Sequence, residues 1–202
     1  MARKEVPGTR AGNDRAMSIH PTAQVHPTAI IGPNVTIGAN VYVGPYAVIG
    51  MHAESHEVDV MQPVNGSVTI GADCIIHELT TIQASRTSEG VTAIGVGCRI
   101  QAHAHVGHDA NLGYHVTIAC GAKIGGHREI GDWSNIGLNA VLHQRACLGE
   151  GVMVGASAFV KGTLGPWGIF VGVPAKYIGP NKVGLMHKEK REEEERQRST
   201  AI

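Results

Sequence analysis

Residues 94–118 read Ile94-Gly95-Val96-Gly97-Cys98-Arg99-Ile100-Gln101-Ala102-His103-Ala104-His105-Val106-Gly107-His108-Asp109-Ala110-Asn111-Leu112-Gly113-Tyr114-His115-Val116-Thr117-Ile118. An aliphatic residue returns every six positions, and the series continues through Ile124, Ile130, Ile136, Leu142, Leu148, Val154 and Val160. Four positions after each stands a small or aliphatic residue, from Cys98, Ala104 and Ala110 to Ala158 and Leu164; Arg128 alone departs. Two inward positions separated by an outward one describe a short strand and its corner, not a helical face. An unbroken run of such units over 94–164 predicts a parallel β-helix.

The same phase extends upstream through Ile19, Val25, Ile31, Ile37, Val43 and Ile49, then through Ile70, Ile76 and Ile82. Two stretches interrupt it, residues 51–67 and the shorter, turn-rich 84–92. Insertions in a solenoid emerge as loops on its surface, where binding residues often reside. One stacked core therefore accounts for most of the 202 residues. The expected organisation is a lead-in over 1–17, an all-β solenoid over 18–165, and a closing loop with a charged helical tail over 166–202.

Lys and Arg together number 17, as do Asp and Glu. With no net charge the chain has no field to draw nucleic acid or an anionic membrane, and nucleic-acid binding is not expected. Residues 1–17 are polar and basic without the apolar centre of a signal peptide, and are expected to be disordered. No stretch reaches membrane-spanning length, so a cytoplasmic location is expected. Cys74 and Cys98 occupy the small-residue slot; Cys120 and Cys147 stand apart with no metal-type spacing, and all four are expected to be buried thiols. After Lys182 the chain becomes charged. Glu192, Glu194, Arg196 and Arg198 are spaced to pair across turns of a short helix, expected to fray or pack on a neighbouring subunit.

The histidines carry the chemical signal. In the continuous repeat His103, His105, His108, His115, His127 and His143 all fall at corner or outward positions, so none is a core histidine. Grouped imidazoles with an adjacent carboxylate, Asp109, are what general base catalysis requires.

Ser18-Ile19-His20-Pro21-Thr22-Ala23, the hexapeptide run, and above all Ala104-His105-Val106-Gly107-His108-Asp109, Gly126-His127 and His143-Gln144 resemble the UDP-N-acetylglucosamine O-acyltransferases that begin lipid A synthesis. The resemblance is ungapped over 94–156 and looser over 17–188. It implies a left-handed parallel β-helix, a homotrimer, and a site between neighbouring subunits. Three units then form one triangular coil, so residues eighteen apart stack: His108 over Gly126 and Gln144, Asp109 over His127 and Arg145. By the resemblance His108 is the general base and Asp109 its partner. His105, His127, His143 and Gln144 contact the sugar nucleotide or acyl group, Gly126 offers backbone near the acyl carbonyl, and Ala156 ends the acyl groove.

The expected reaction moves an acyl group from an acyl-carrier-protein or coenzyme A thioester to a hydroxyl or amine of a nucleotide sugar, with no bound cofactor and no metal. Residues 165–176 are closer to the closing loop of acetyl-CoA-dependent sugar acetyltransferases. Val183 and His187 stand where the resembling enzymes carry Glu and Arg. Two other readings remain open at this point. One is a zinc hydratase of the γ-carbonic-anhydrase type, which needs three convergent imidazoles; the other is a non-catalytic solenoid scaffold.

Overall fold

The computed structural model describes residues 17–200; residues 1–16 and 201–202 lie outside the described residues, and with them almost all of the expected lead-in. The chain winds as a left-handed parallel β-helix of triangular section. Among the described residues its first face holds eight strands, from Ser18–Ile19 to Thr163–Leu164. The second holds nine, from Gln24–Val25 to Lys176–Pro180, and the third seven, from Ile30–Ile31 to Phe159–Val160.

The register is the sequence repeat made visible. Ile94 pairs with Leu112, Leu112 with Ile130, and Ile130 with Leu148, each at the same level of the first face. Their side chains fill the prism; Ile100, Val106, Ile118 and Ile124 have no exposed surface. The small slot lies at the corners, where Ala104, Ala110, Ala122 and Ala146 are buried with at most 1% exposed. Most corners are tight turns whose third residue after the inward aliphatic takes left-handed backbone, among them His103 at φ 60°, Asp109 at 58°, His127 at 55° and Arg145 at 65°. A turn with positive φ at that position is the type II pattern. His and Asp tolerate this conformation better than branched residues, which is one reason polar side chains collect there.

Both interruptions, residues 52–66 and 84–90, leave the solenoid at the edge between the third and first faces. The second shifts the pairing of Ile70 to Ile94, so it adds one six-residue unit and the phase survives. The repeat expected to run unbroken to Leu164 does slip once. Leu164 is not a corner residue but an inward strand residue paired with Leu148, because the turn at Lys161 and Gly162 is shorter than the others. That shortening falls at the same edge.

The last parallel strand, Gly168–Val171, pairs with Met153–Val154 and lies beyond the expected boundary at residue 165. Lys176–Pro180 then doubles back antiparallel on it and leads into the helix Lys182–Thr200. The first half of the helix docks on the solenoid of its own chain. Lys188 bonds Glu150 at 2.7 Å, and Arg191 lies 5.8 Å over the Trp133 ring. Among the described residues its ion pairs include Lys188 with Glu192, Lys190 with Glu194, and Arg196 with Glu193. The Arg198 side chain lies outside the described residues. Cys74 and Cys98 are buried as expected, whereas Cys120 is exposed and Cys147 half-buried, because both stand outside the corner slot. No described helix is long and apolar enough to cross a membrane.

Candidate active site

His108 and Asp109 occupy the turn between the strands His105–Val106 and Asn111–Leu112, on the edge that also releases both loops. His108 Nδ1 and Asp109 Oδ2 are 2.8 Å apart. The loop of residues 84–90 covers the pair, leaving the two side chains 12% and 16% exposed. Ser85 Oγ donates to Asp109 Oδ1 at 2.5 Å, and the Arg86 N–H to Oδ2 at 3.4 Å. The Asp109 N–H donates to Thr92 Oγ1 and the His108 N–H to Gln83 Oε1, which pins the turn from both sides. Arg86 also pairs with Glu57, joining the two loops.

The electrostatics follow from these contacts. Burial raises the Asp109 carboxyl pKa, but the hydrogen bonds from Ser85, His108 and the Arg86 N–H outweigh it, so the net shift is downward and the group is ionised at neutral pH. An ionised acceptor at Nδ1 keeps the proton on that nitrogen and leaves the lone pair on Nε2, the arrangement of a general base. Gly126 stands against that nitrogen: a Cβ there would sit 2.7 Å from His108 Nε2 and Cε1. Glycine at 126 keeps the reactive side of the imidazole open.

His127 meets His108 edge-on, with ring centroids 5.0 Å apart, and its Nε2 lies 3.8 Å from Asp109 Oδ2. Burial lowers the His127 pKa; the Asp109 charge opposes this, while His108, Arg86 and Arg145 reinforce it. His105 points outward from its strand and shares a hydrogen bond of 2.7 Å with Thr81 Oγ1. Burial again lowers its pKa, Glu54 opposing and Lys123 and His108 adding. Both rings are thus biased toward the neutral form.

His108, Asp109, Gly126 and His127 are brought into contact, and His105 stands one strand away. His143 and Gln144 sit two coils further along the same edge and are exposed; His143 Nδ1 faces the Gln144 carbonyl at 3.2 Å and its ring stacks edge-on with Phe159. Ala156 lies elsewhere, in the turn between the second and third faces, and is exposed. Within one chain it does not share the edge that carries His108.

The residues that hold the pair, Ser85, Gln83 and Thr92, and Thr81, which holds His105, carry no signal of that role in the sequence. Ser85 and Thr81 lie 24 positions before their partners rather than 18, because the loop intervenes. The only signal was that the loop adds one repeat length. Donor atoms of His108, Asp109 and His127 lie within 4.8 Å of one another, close enough to hold a metal ion. The carboxylate oxygens are nonetheless already engaged, one by Ser85 and one by His108, which suits an orienting acceptor.

A second cleft, of about 700 Å³, opens between the second face and the helix, lined by His115, Trp133, Asn181, Val183, His187 and Arg191.

The bacterial transferase hexapeptide family (six repeats) matches residues 16–50. An acyl-[acyl-carrier-protein]–UDP-N-acetylglucosamine O-acyltransferase of Bartonella bacilliformis is 48% identical over 120 residues, covering 59% of this chain and 44% of that protein. The likeness is to UDP-N-acetylglucosamine O-acyltransferases. The same enzyme of Bartonella henselae is 45% identical over 120 residues, again 59% of this chain and 44% of the relative. The chain thus matches less than half the length of these relatives. Among solved structures, the UDP-N-acetylglucosamine acyltransferase of Bacteroides fragilis superposes with a TM-score of 0.68 at 26% identity, over 84% of this chain and 77% of that one. An N-acyltransferase of Bacillus cereus shares the architecture at a TM-score of 0.52 and 21% identity, over 88% and 91% of the two chains.

Proposed function

We propose that this protein transfers an acyl group from a phosphopantetheine thioester, on acyl carrier protein or coenzyme A, to a hydroxyl or amine of a nucleotide-activated aminosugar. The observation that carries the reading is the bond between His108 and Asp109, with His108 Nε2 left open beside Gly126. His108 Nε2 takes the acceptor proton as the oxygen or nitrogen attacks the thioester carbonyl. Asp109 holds the ring and stabilises the imidazolium. The Gly126 N–H receives the oxyanion. The tetrahedral adduct then collapses, the carbon–sulfur bond breaks, and the thiolate recovers the proton from His108. The thioester arrives activated, so this sequence uses no bound cofactor, and orientation with charge stabilisation supplies the rate.

The names of the relatives support an acyl-carrier-protein donor and UDP-N-acetylglucosamine as acceptor, a pairing that fits a cytoplasmic role in lipid A synthesis. The location of Ala156 supports a homotrimer: its edge and the His108 edge can face one groove only if they come from two copies. His143 and Gln144 extend that groove from the His108 side.

The test is an acyl-transfer assay over thioesters on both carriers against a panel of UDP- and dTDP-sugars, with light scattering for oligomeric state. Transfer to a UDP-aminosugar is expected, from a trimer. No transfer to any sugar, or a monomer at working concentration, overturns the reading. Stoichiometric zinc required for activity would favour a hydratase instead.

A further inference from the structure

Arg128 breaks the small-residue rule of the repeat, and the fold does not let it escape. Its side chain is 1% exposed, at a corner whose neighbours in the stack are Ala110 and Ala146. Nη1 and Nη2 are buried without a hydrogen-bond partner among the described residues. One contact orients the group: Nε donates to the Gly125 carbonyl at 3.3 Å, and Nη2 fills the space that a Gly125 side chain would take, 3.1 Å from its Cβ position. As filler this is a poor choice, since an apolar residue of similar size leaves no unpaired donors behind. Burial pulls the guanidinium pKa down to about 10, which still leaves the charge in place at neutral pH.

The Gly125 carbonyl belongs to the same peptide group as the Gly126 N–H. That N–H makes no hydrogen bond among the described residues, while its residue abuts the His108 ring. A cation bonded to the oxygen of an amide draws electron density from its nitrogen and makes the N–H a stronger donor, an effect that grows where water is excluded.

We propose that Arg128 is a positioning residue of the active site, fixing and polarising the Gly125–Gly126 peptide so that the Gly126 N–H binds the oxyanion. The inference rests on the acyltransferase reading above. Arg128 touches neither substrate nor the reacting atoms; it acts through the peptide alone.

Arg128→Met, which keeps the length and removes the charge, tests it in the full-length protein. The expected result is a fall in kcat of about ten-fold, a fraction of the 10²–10³ lost with a whole oxyanion donor. Both KM values should stay within about two-fold, as for an interaction made only in the transition state. The Gly126 amide proton should move upfield in the spectrum of ¹⁵N-labelled protein, and the melting temperature should not fall. Arg128→Lys, retaining the charge, should recover at least about a third of wild-type kcat, its loss reflecting the missing planar fork. A methionine variant with wild-type kcat and an unmoved Gly126 resonance overturns the proposal, as does a lysine variant as slow as the methionine one. If the methionine variant does not fold, the lysine variant decides alone. A wild-type protein that transfers no acyl group sinks the acyltransferase reading, and the Gly126 resonance still decides whether Arg128 polarises this peptide.

Discussion

Asp109 Oδ2 accepts a hydrogen bond from Nδ1 of His108, its immediate neighbour in the chain, at 2.8 Å. Adjacent residues of a strand point to opposite sides, so such a bond needs a bend between them. The left-handed backbone of Asp109, at φ 58°, supplies it. The carboxylate and the imidazole of the candidate site are thus paired by a corner of the solenoid, and removing either side chain leaves that corner standing.

His108→Ala should accordingly lose at least about 10² in kcat, the lower end of what a general base contributes, with oligomeric state and sugar-nucleotide binding retained. Asp109→Asn should lose less. Steady-state rates and isothermal titration on the two variants check both; an alanine variant keeping more than about a tenth of wild-type rate would refute the assignment of the base.

Ser85→Ala removes the shortest bond to the Asp109 carboxylate and should raise that group's pKa toward its ordinary 3.8. A native-state pKa below the unfolded one stabilises the fold above pH 3.8 and is lost as pH falls through the native value. Urea midpoints measured between about pH 2 and 6 should therefore depend less on pH in the variant than in the wild type. An unchanged profile would show that Ser85 does not hold the carboxylate.

Gly126→Ala should spare the fold and cripple the chemistry. The position has ordinary backbone, but the new Cβ would press on the His108 ring at 2.7 Å. The imidazole must turn off Asp109 to relieve it. The expected outcome is a loss of about 10² in kcat with melting temperature little changed, the size of losing a positioned base. Full activity in this variant would place the reacting atoms elsewhere.

His105 and His127 have native pKa values below their unfolded 6.5, so both are neutral in the fold where the unfolded chain begins to bind protons. Their contribution to stability is flat above pH 6.5 and falls as pH drops below it toward the native values. Replacing both with Gln should flatten the stability profile over that window. Chemical denaturation at stepped pH reads the slope directly, and a double variant as acid-sensitive as the wild type would contradict the shifts.

Ala156→Gly should lengthen the preferred acyl chain by one or two methylenes. The methyl group it removes ends the proposed groove, and each buried methylene of acyl chain is worth about 0.8 kcal/mol. Relative kcat/KM over a thioester length series is the measurement. A wild-type optimum already at the longest chains, unmoved by glycine, would remove Ala156 from the groove.

The fold is legible because period six survives without a break from Ile94 to Val160: the stacking of Ile94, Leu112, Ile130 and Leu148 follows from their spacing alone. The columns of His108 over Gly126 and Asp109 over His127 were legible for the same reason. What a repeat cannot encode is its own exceptions. Ser85 reaches Asp109 from an insertion that lengthens its coil to a 24-residue spacing, and Leu164 is an inward residue because the turn after Val160 is shortened. Arg128 stood out in the sequence as a broken rule, but only packing reveals that its charge stays inside and bonds the Gly125 carbonyl.

Among the described residues every departure from uniform length, at residues 52–66, at 84–90 and at Lys161–Gly162, lies on the one edge that bears His108, while the other two edges run from coil to coil without interruption. The molecule thereby divides its sequence into a rigid spool and a single exchangeable seam. Residues can be gained or lost along that seam without rethreading any core layer, since each coil beyond it resumes the same register. New specificity can thus arise by grafting loops rather than by repacking the interior, and an engineer seeking a different acceptor has one margin of the protein to rewrite.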